Sequence, residues 1–149
     1  MQWLSTLDSP LRPQSVRRIS LSAVSLGFLT NLLSVTAAKC RISDLRAHYK
    51  NTYEVARACK GLKLNNAIKY LDNVLEHKQI IPFRRYTGGI GRHAQVKVFK
   101  HTQGRWPEKS TKCVRELLIN LRANAETAKL NVDDCVITHV VVQRAVSGR

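Results

Sequence analysis

Residues 82–107 read PFRRYTGGIGRHAQVKVFKHTQGRWP and carry six basic side chains, Arg84, Arg85, Arg92, Lys97, Lys100 and Arg105, without a single Asp or Glu. Tyr86, Phe99 and Trp106 are interleaved with the charge, as are Gly88, Gly89, Gly91 and Gly104. Lysine and arginine neutralise phosphates, and rings and guanidinium planes stack on unpaired bases. Glycine lets the backbone come close to another surface. The chemistry on offer is therefore binding of a polyanion, with Tyr86 and Trp106 as stacking or wedging groups. Lys109 and Lys112 follow just beyond and extend the candidate surface. The competing reading is a solvated surface loop, but such loops generally mix charge signs and seldom carry Trp. Self-repulsion also predicts that the segment is not compact without its polyanion.

Charge supports the same direction. The 149 residues hold 25 Lys and Arg against 10 Asp and Glu, a net charge of +15 and a pI near 10.3. Between residues 78 and 115 there are ten bases and one acid, Glu108. Such a surplus points to an acidic partner, with nucleic acid first and an anionic membrane surface second. The length suits one domain with a tail and is enough to bury a core. Cys40, Cys59, Cys113 and Cys135 show no C-x-x-C spacing and no zinc-ligand pattern with His, and they read as small packing residues in a reducing compartment. No Walker loop, G-x-S-x-G or H-E-x-x-H is present, and the glycines at 88, 89 and 91 have the wrong spacing for a phosphate loop. The acids fall mostly on predicted helix surfaces and turns, so no paired-carboxylate site is supported. No enzyme, cofactor, metal or small-molecule substrate is expected.

The elements that must position the basic segment can be read around it. Residues 45–50 alternate, with Leu45, Ala47 and Tyr49 on one side, which predicts a half-buried strand. Asn51 is a suitable N-cap for a following helix, Glu54 could close a capping box, and Gly61 could end it as the C′ residue. A second helix is predicted over 65–78, with Ala67, Ile68, Leu71, Val74 and Leu75 on one face, and Pro82 ends that segment. The third and longest helix starts at Pro107 and runs to about Lys129. Its apolar stripe is Val114, Leu117, Leu118, Leu121, Ala125 and Ala128, with Lys109, Lys112, Arg115 and Arg122 pointing away. Residues 131–134 form a turn, and 135–146 give the strongest strand signal in the chain. Residues 1–38 look different. Arg12, Arg17 and Arg18 precede the uncharged stretch 19–38, which predicts a disordered or targeting extension, although repeated Ser and Thr argue against a membrane span.

Several short motifs follow one another in order: LRAHYKNT at 45–52, AIKYL at 67–71, PFRRY at 82–86, GGIGR at 88–92, TQGRWP at 102–107 and NAE at 124–126, then the strand around Val136, Ile137 and His139. From about residue 39 to 145 they resemble the universal large-subunit ribosomal protein family that is number twenty-two in bacterial naming and seventeen in eukaryotic naming. The basic central segment is similar to the eukaryotic and archaeal branch. The resemblance implies an α+β fold with three helices packed on a small antiparallel sheet and a long basic loop. It implies binding to large-subunit ribosomal RNA beside neighbouring large-subunit ribosomal proteins. It also implies a basic β-hairpin that reaches the exit tunnel, but here Val146 stands where the family usually has Pro, and residue 149 is the last, so the hairpin and the last sheet strand are expected to be missing. The segment 136–142 should then present an open edge that associates with other chains as salt rises. The reading is a structural constituent of a eukaryotic cytosolic large subunit, supporting translation and subunit assembly, with residues 39–149 as the RNA-binding domain. The alternatives are a membrane-associated or organelle-targeted basic protein and a shortened paralogue that is not incorporated into ribosomes.

Overall fold

The computed structural model describes residues 16–25 and 37–145. The chain enters through two strands, β1 (Val16–Ser25) and β2 (Ala37–Leu45). In β1, Ile19, Leu21 and Ala23 are buried, Arg18 is exposed and Ser20 and Ser22 are half-buried, the two-residue period of a strand with one wet face. β2 repeats it, with Ala38 and Cys40 inside and Lys39 and Arg41 outside. The two strands pair antiparallel, placing Leu21 opposite Cys40 and Ile19 opposite Ile42.

Asp44, at φ 55, begins a bend into α1 (Tyr49–Cys59). Lys60 caps that helix, and Gly61 follows at φ 84, the left-handed conformation that glycine adopts without penalty. α2 (Leu64–Leu75) buries Leu64, Ala67, Leu71 and Val74 along one stripe. Two short strands, β3 (Ile81–Pro82) and β4 (Gly104–Arg105), pair antiparallel and enclose a 3-10 helix, Ala94–Phe99. α3 (Glu108–Thr127) starts from Pro107 and buries Val114, Leu117, Leu118, Leu121 and Ala125, at the spacing of a helix face turned to the core. β5 (Cys135–Arg144) returns antiparallel to β1, with Leu21 opposite Val140, and the sheet order is β2-β1-β5. The three helices pack with this small antiparallel sheet around one core that includes Ile19, Leu21, Leu64, Leu71, Phe83, Leu118, Leu121 and Ile137. The expected α+β class and the three helices stand.

Other expectations need correction. The domain does not start at residue 39. The proposed boundary falls inside β2, and β1, drawn from the stretch expected to be disordered or targeting, is the central strand of the sheet. The remainder of that extension, residues 1–15 and 26–36, lies outside the described residues. Residues 45–50 are not a strand. Leu45 ends β2 and Tyr49 already begins α1, so the alternation there spans a strand end, a bend and a helix start. Asn51 is therefore inside the first turn, the N-cap is His48, and Glu54 makes no capping box. Ala128 lies past the end of α3 and is exposed, so the stripe stops at Ala125. The segment 136–142 lies against β1 along one edge, so the open edge expected of it is confined to its other side.

Candidate nucleic-acid interface

The basic segment is clipped at its base. Ile81 pairs with Arg105 and Pro82 with Gly104, and Phe83 donates its N–H to the carbonyl of Gln103 at 3.1 Å. The clip needs glycine at 104, because a Cβ there would stand 2.7 Å from the carbonyl oxygen of Ile81. Further out, His93 donates to the carbonyl of Thr102, and the Gln103 side chain donates to the carbonyls of Thr87 and Ile90, bracing the turn that holds Gly88 and Gly89. Gly89 sits at φ 72, and Arg105 donates to its carbonyl oxygen at 2.7 Å. The segment is thus folded, against the expectation that repulsion keeps it open. Phe83 and Val96 are buried and anchor it, while Arg84, Arg85, Arg92, Lys97, Lys100 and Arg105 are all exposed and keep their charges in water.

Glu54 does the anchoring that sequence reasoning missed. Its side chain is buried on α1 beneath the start of the segment, and its carboxylate accepts the backbone N–H groups of Arg84 at 3.3 Å, Arg85 at 2.8 Å and Tyr86 at 2.9 Å. Three backbone donors on one carboxylate fix the direction in which Arg84 and Arg85 project. The partner lies some thirty residues away in sequence, so no local pattern signals it.

Around this anchor the structure gathers an aromatic and cationic cluster. Tyr86 stands edge-on to Tyr53, with ring centroids 5.6 Å apart, and to Tyr49 at 6.2 Å. The Arg85 guanidinium lies 5.3 Å from the Tyr53 centroid and 5.6 Å from that of Tyr86, and the Lys50 ammonium is 5.7 Å from Tyr86. The Tyr53 hydroxyl accepts from Arg57 at 3.0 Å and from Arg85 at 3.4 Å. Hydrogen bonds from these two guanidinium groups hold the Tyr53 phenol below its ordinary pKa, while burial and the neighbouring Tyr86 phenol push Tyr49 up. Next to the cluster, Arg57, Lys60 and Arg84 surround a groove of about 200 Å³ floored by Pro82 and Phe99. Tyr49, Lys50, Tyr53, Arg57 and Lys60 were absent from the expected site. Tyr53, Arg57 and Lys60 stand at i, i+4 and i+7 on α1 and its cap, a helical spacing that could have revealed a shared face.

The other expected residues divide. Trp106 is half-buried between the rings of His77 at 5.3 Å and His93 at 4.8 Å, and its indole N–H is buried with no acceptor among the described residues. Its ring is spent on packing the segment against the body. Gly88 and Gly91 are exposed, and a Cβ at Gly91 would meet only the His93 ring at 3.6 Å. Lys109 and Lys112 are exposed on the first turns of α3, Lys112 with its ammonium 3.9 Å from Glu108. Elsewhere Arg115 pairs with Asp72, and Arg122 with Glu126 at 3.0 Å. Among the described residues no group of His, Cys, Asp and Glu is placed to hold a metal ion. The cysteines are packing groups: burial pushes the Cys59 thiol up to about 12 and the Cys40 thiol up to about 11.

A profile of the family described as Ribosomal protein L22p/L17e matches residues 40–149. The chain belongs to this family. It is 51% identical over 113 residues to the large ribosomal subunit protein uL22 of Theileria parva, an alignment covering 76% of this chain and 60% of that protein. It is 53% identical over 115 residues to uL22 of Suberites domuncula, covering 76% and 60%, and 52% identical over 116 residues to uL22 of Caenorhabditis elegans, covering 78% and 62%. The chain thus spans about three fifths of the length of these curated L22p/L17e relatives. The clip, the Glu54 anchor and the tyrosine cluster all lie inside the matched residues. β1 lies outside them.

Proposed function

We propose that this chain is a structural constituent of the large ribosomal subunit and binds ribosomal RNA through the clipped basic segment, beside neighbouring ribosomal proteins. The observation that carries the reading is the acid-free segment 82–107, whose six basic side chains are exposed while its backbone is pinned to Glu54. Arg84, Arg85, Arg92, Lys97, Lys100 and Arg105 neutralise phosphates, with Lys109 and Lys112 extending the patch on α3. Tyr86 and Tyr53, with Arg85 between them, offer stacking faces for unpaired bases. Gly88, Gly89 and Gly91 let the RNA backbone approach the turn. The role is architectural, not catalytic. The subunit is the cytosolic one, a reading that rests on the likeness of the central segment to the eukaryotic and archaeal branch and on the eukaryotic sources of the relatives.

The test compares two sets of charge removals in tagged chains expressed in eukaryotic cells. Arg84→Ala, Arg85→Ala and Arg92→Ala together are expected to reduce co-sedimentation with cytosolic large subunits by about tenfold or more, since each exposed phosphate contact contributes of order 1 kcal/mol. Arg122→Ala, already paired with Glu126 on α3, is expected to leave it unchanged. Equal losses from both, or recovery of the chain with membranes instead, would refute loop-centred RNA binding.

A further inference from the structure

The outer edge of β5, opposite the edge paired with β1, is partly in use. Gly61 donates its N–H to the carbonyl of Ile137 at 2.8 Å, Ile137 donates to the carbonyl of Leu62 at 3.0 Å, and Lys63 bridges antiparallel to Val136. Residues 61–63 therefore act as the first rung of a fourth strand. β5 continues to Arg144, but beyond Thr138 no backbone group among the described residues joins this edge. Open N–H and C=O groups along a strand are a template for another strand.

A groove of about 500 Å³ lies along this open length, lined by Tyr53, Arg57, Lys60, Gly61, Val140 and Val142. One wall is α1 and its cap, with an aromatic ring and two cations at helical spacing. The other is the half-buried pair Val140 and Val142. A strand laid beside β5 sends every second side chain toward α1, because side chains alternate along a strand. Each such side chain would pass the valines and end near Arg57 or Lys60. Glutamate suits that path, since its methylenes cover the valines and its carboxylate meets the cations.

We infer that the groove between α1 and the outer edge of β5 receives an extended acidic peptide segment as an added strand. The mode is strand addition, in which the main chain supplies affinity and alternate side chains supply specificity. A second copy of this chain is a poor occupant, because each copy carries +15. RNA could meet Arg57 and Lys60 with phosphates, but its backbone has no ladder of alternating donors and acceptors to satisfy β5.

The test uses the purified full chain at physiological salt and a fluorescent peptide of alternating glutamate and threonine. Anisotropy is expected to show saturable binding, and amide hydrogen exchange is expected to slow at residues 139–144. Replacing glutamate by lysine should abolish binding. Arg57→Glu combined with Lys60→Glu should weaken it about tenfold or more, as two reversed ion pairs imply. Methylating one set of alternate backbone nitrogens in the peptide should also abolish binding to the unaltered chain, a control that does not depend on any variant folding. If neither set of methylated peptides binds more weakly, charge alone is responsible and the inference fails. It also fails if protection falls within 82–107 instead of 139–144, if an RNA oligonucleotide protects 139–144, or if light scattering shows that the chain fills this edge with its own copies.

Discussion

Three backbone N–H groups at the entrance to the basic segment converge on one carboxylate, and this places most of the weight of the site on Glu54, a residue with no charge to offer RNA. Glu54→Gln keeps the size and one acceptor oxygen but turns an amide N–H toward one of the backbone donors. A buried donor left without its acceptor costs about 1–3 kcal/mol, and more where the acceptor was charged. Urea unfolding of Glu54→Gln is expected to show a loss of that order, and RNA affinity should fall although no surface charge has changed. A stable variant with full affinity would show that the segment holds its own shape. The two aromatic residues picked from sequence differ for a related reason. Tyr86 joins an exposed cationic cluster, whereas Trp106 packs between two histidine rings. Both are aromatic and follow an arginine, and the tertiary partner separates them.

At the scale of elements, β1 carries the least expected feature of the fold. It is the middle strand, yet it lies outside residues 40–149 that match the L22p/L17e family. Ile19 and Leu21 are fully buried and Leu21 faces Cys40 on one side and Val140 on the other, so within the sheet β1 lies between β2 and β5. Leu21→Ala should cost about 2–5 kcal/mol, comparable to Leu121→Ala in α3, because both delete a buried leucine from the same core. A near-zero cost for Leu21→Ala by urea denaturation would mean that β1 is not part of the folded sheet in solution. The signal for β1 was present in ISLSA at 19–23, where serines alternate with apolar residues. Read as interruptions of an apolar run, those serines argued against a membrane span; read with a period of two, they are the wet face of a strand. The helices were legible because α2 and α3 keep their apolar residues at three- and four-residue spacing over several turns. The stretch 45–50 misled because six residues of alternation are too few to distinguish a strand from a bend between two elements. Within the site, the exposed bases were legible from composition, while the contribution of α1 was not, since Tyr53, Arg57 and Lys60 meet the segment only after folding.

At the scale of the molecule, charge is sorted. The acids are largely engaged on the body: Asp72 with Arg115, Glu126 with Arg122, Asp134 with Lys63, and Glu54 with the segment's own backbone. The clipped segment presents bases without acids, on a chain whose net charge is +15. A surface of this kind binds a polyanion by releasing counterions, and each phosphate neutralised adds about −0.7 to −0.9 to the slope of log K against log salt. If the exposed bases of 82–107, with Lys109 and Lys112, neutralise about five to eight phosphates, the total slope lies between about −3.5 and −7. The decisive measurement is the affinity of the full chain for a large-subunit ribosomal RNA fragment across a salt series. A steep linear fall within that range is the predicted result, and an affinity that does not change with salt would contradict it.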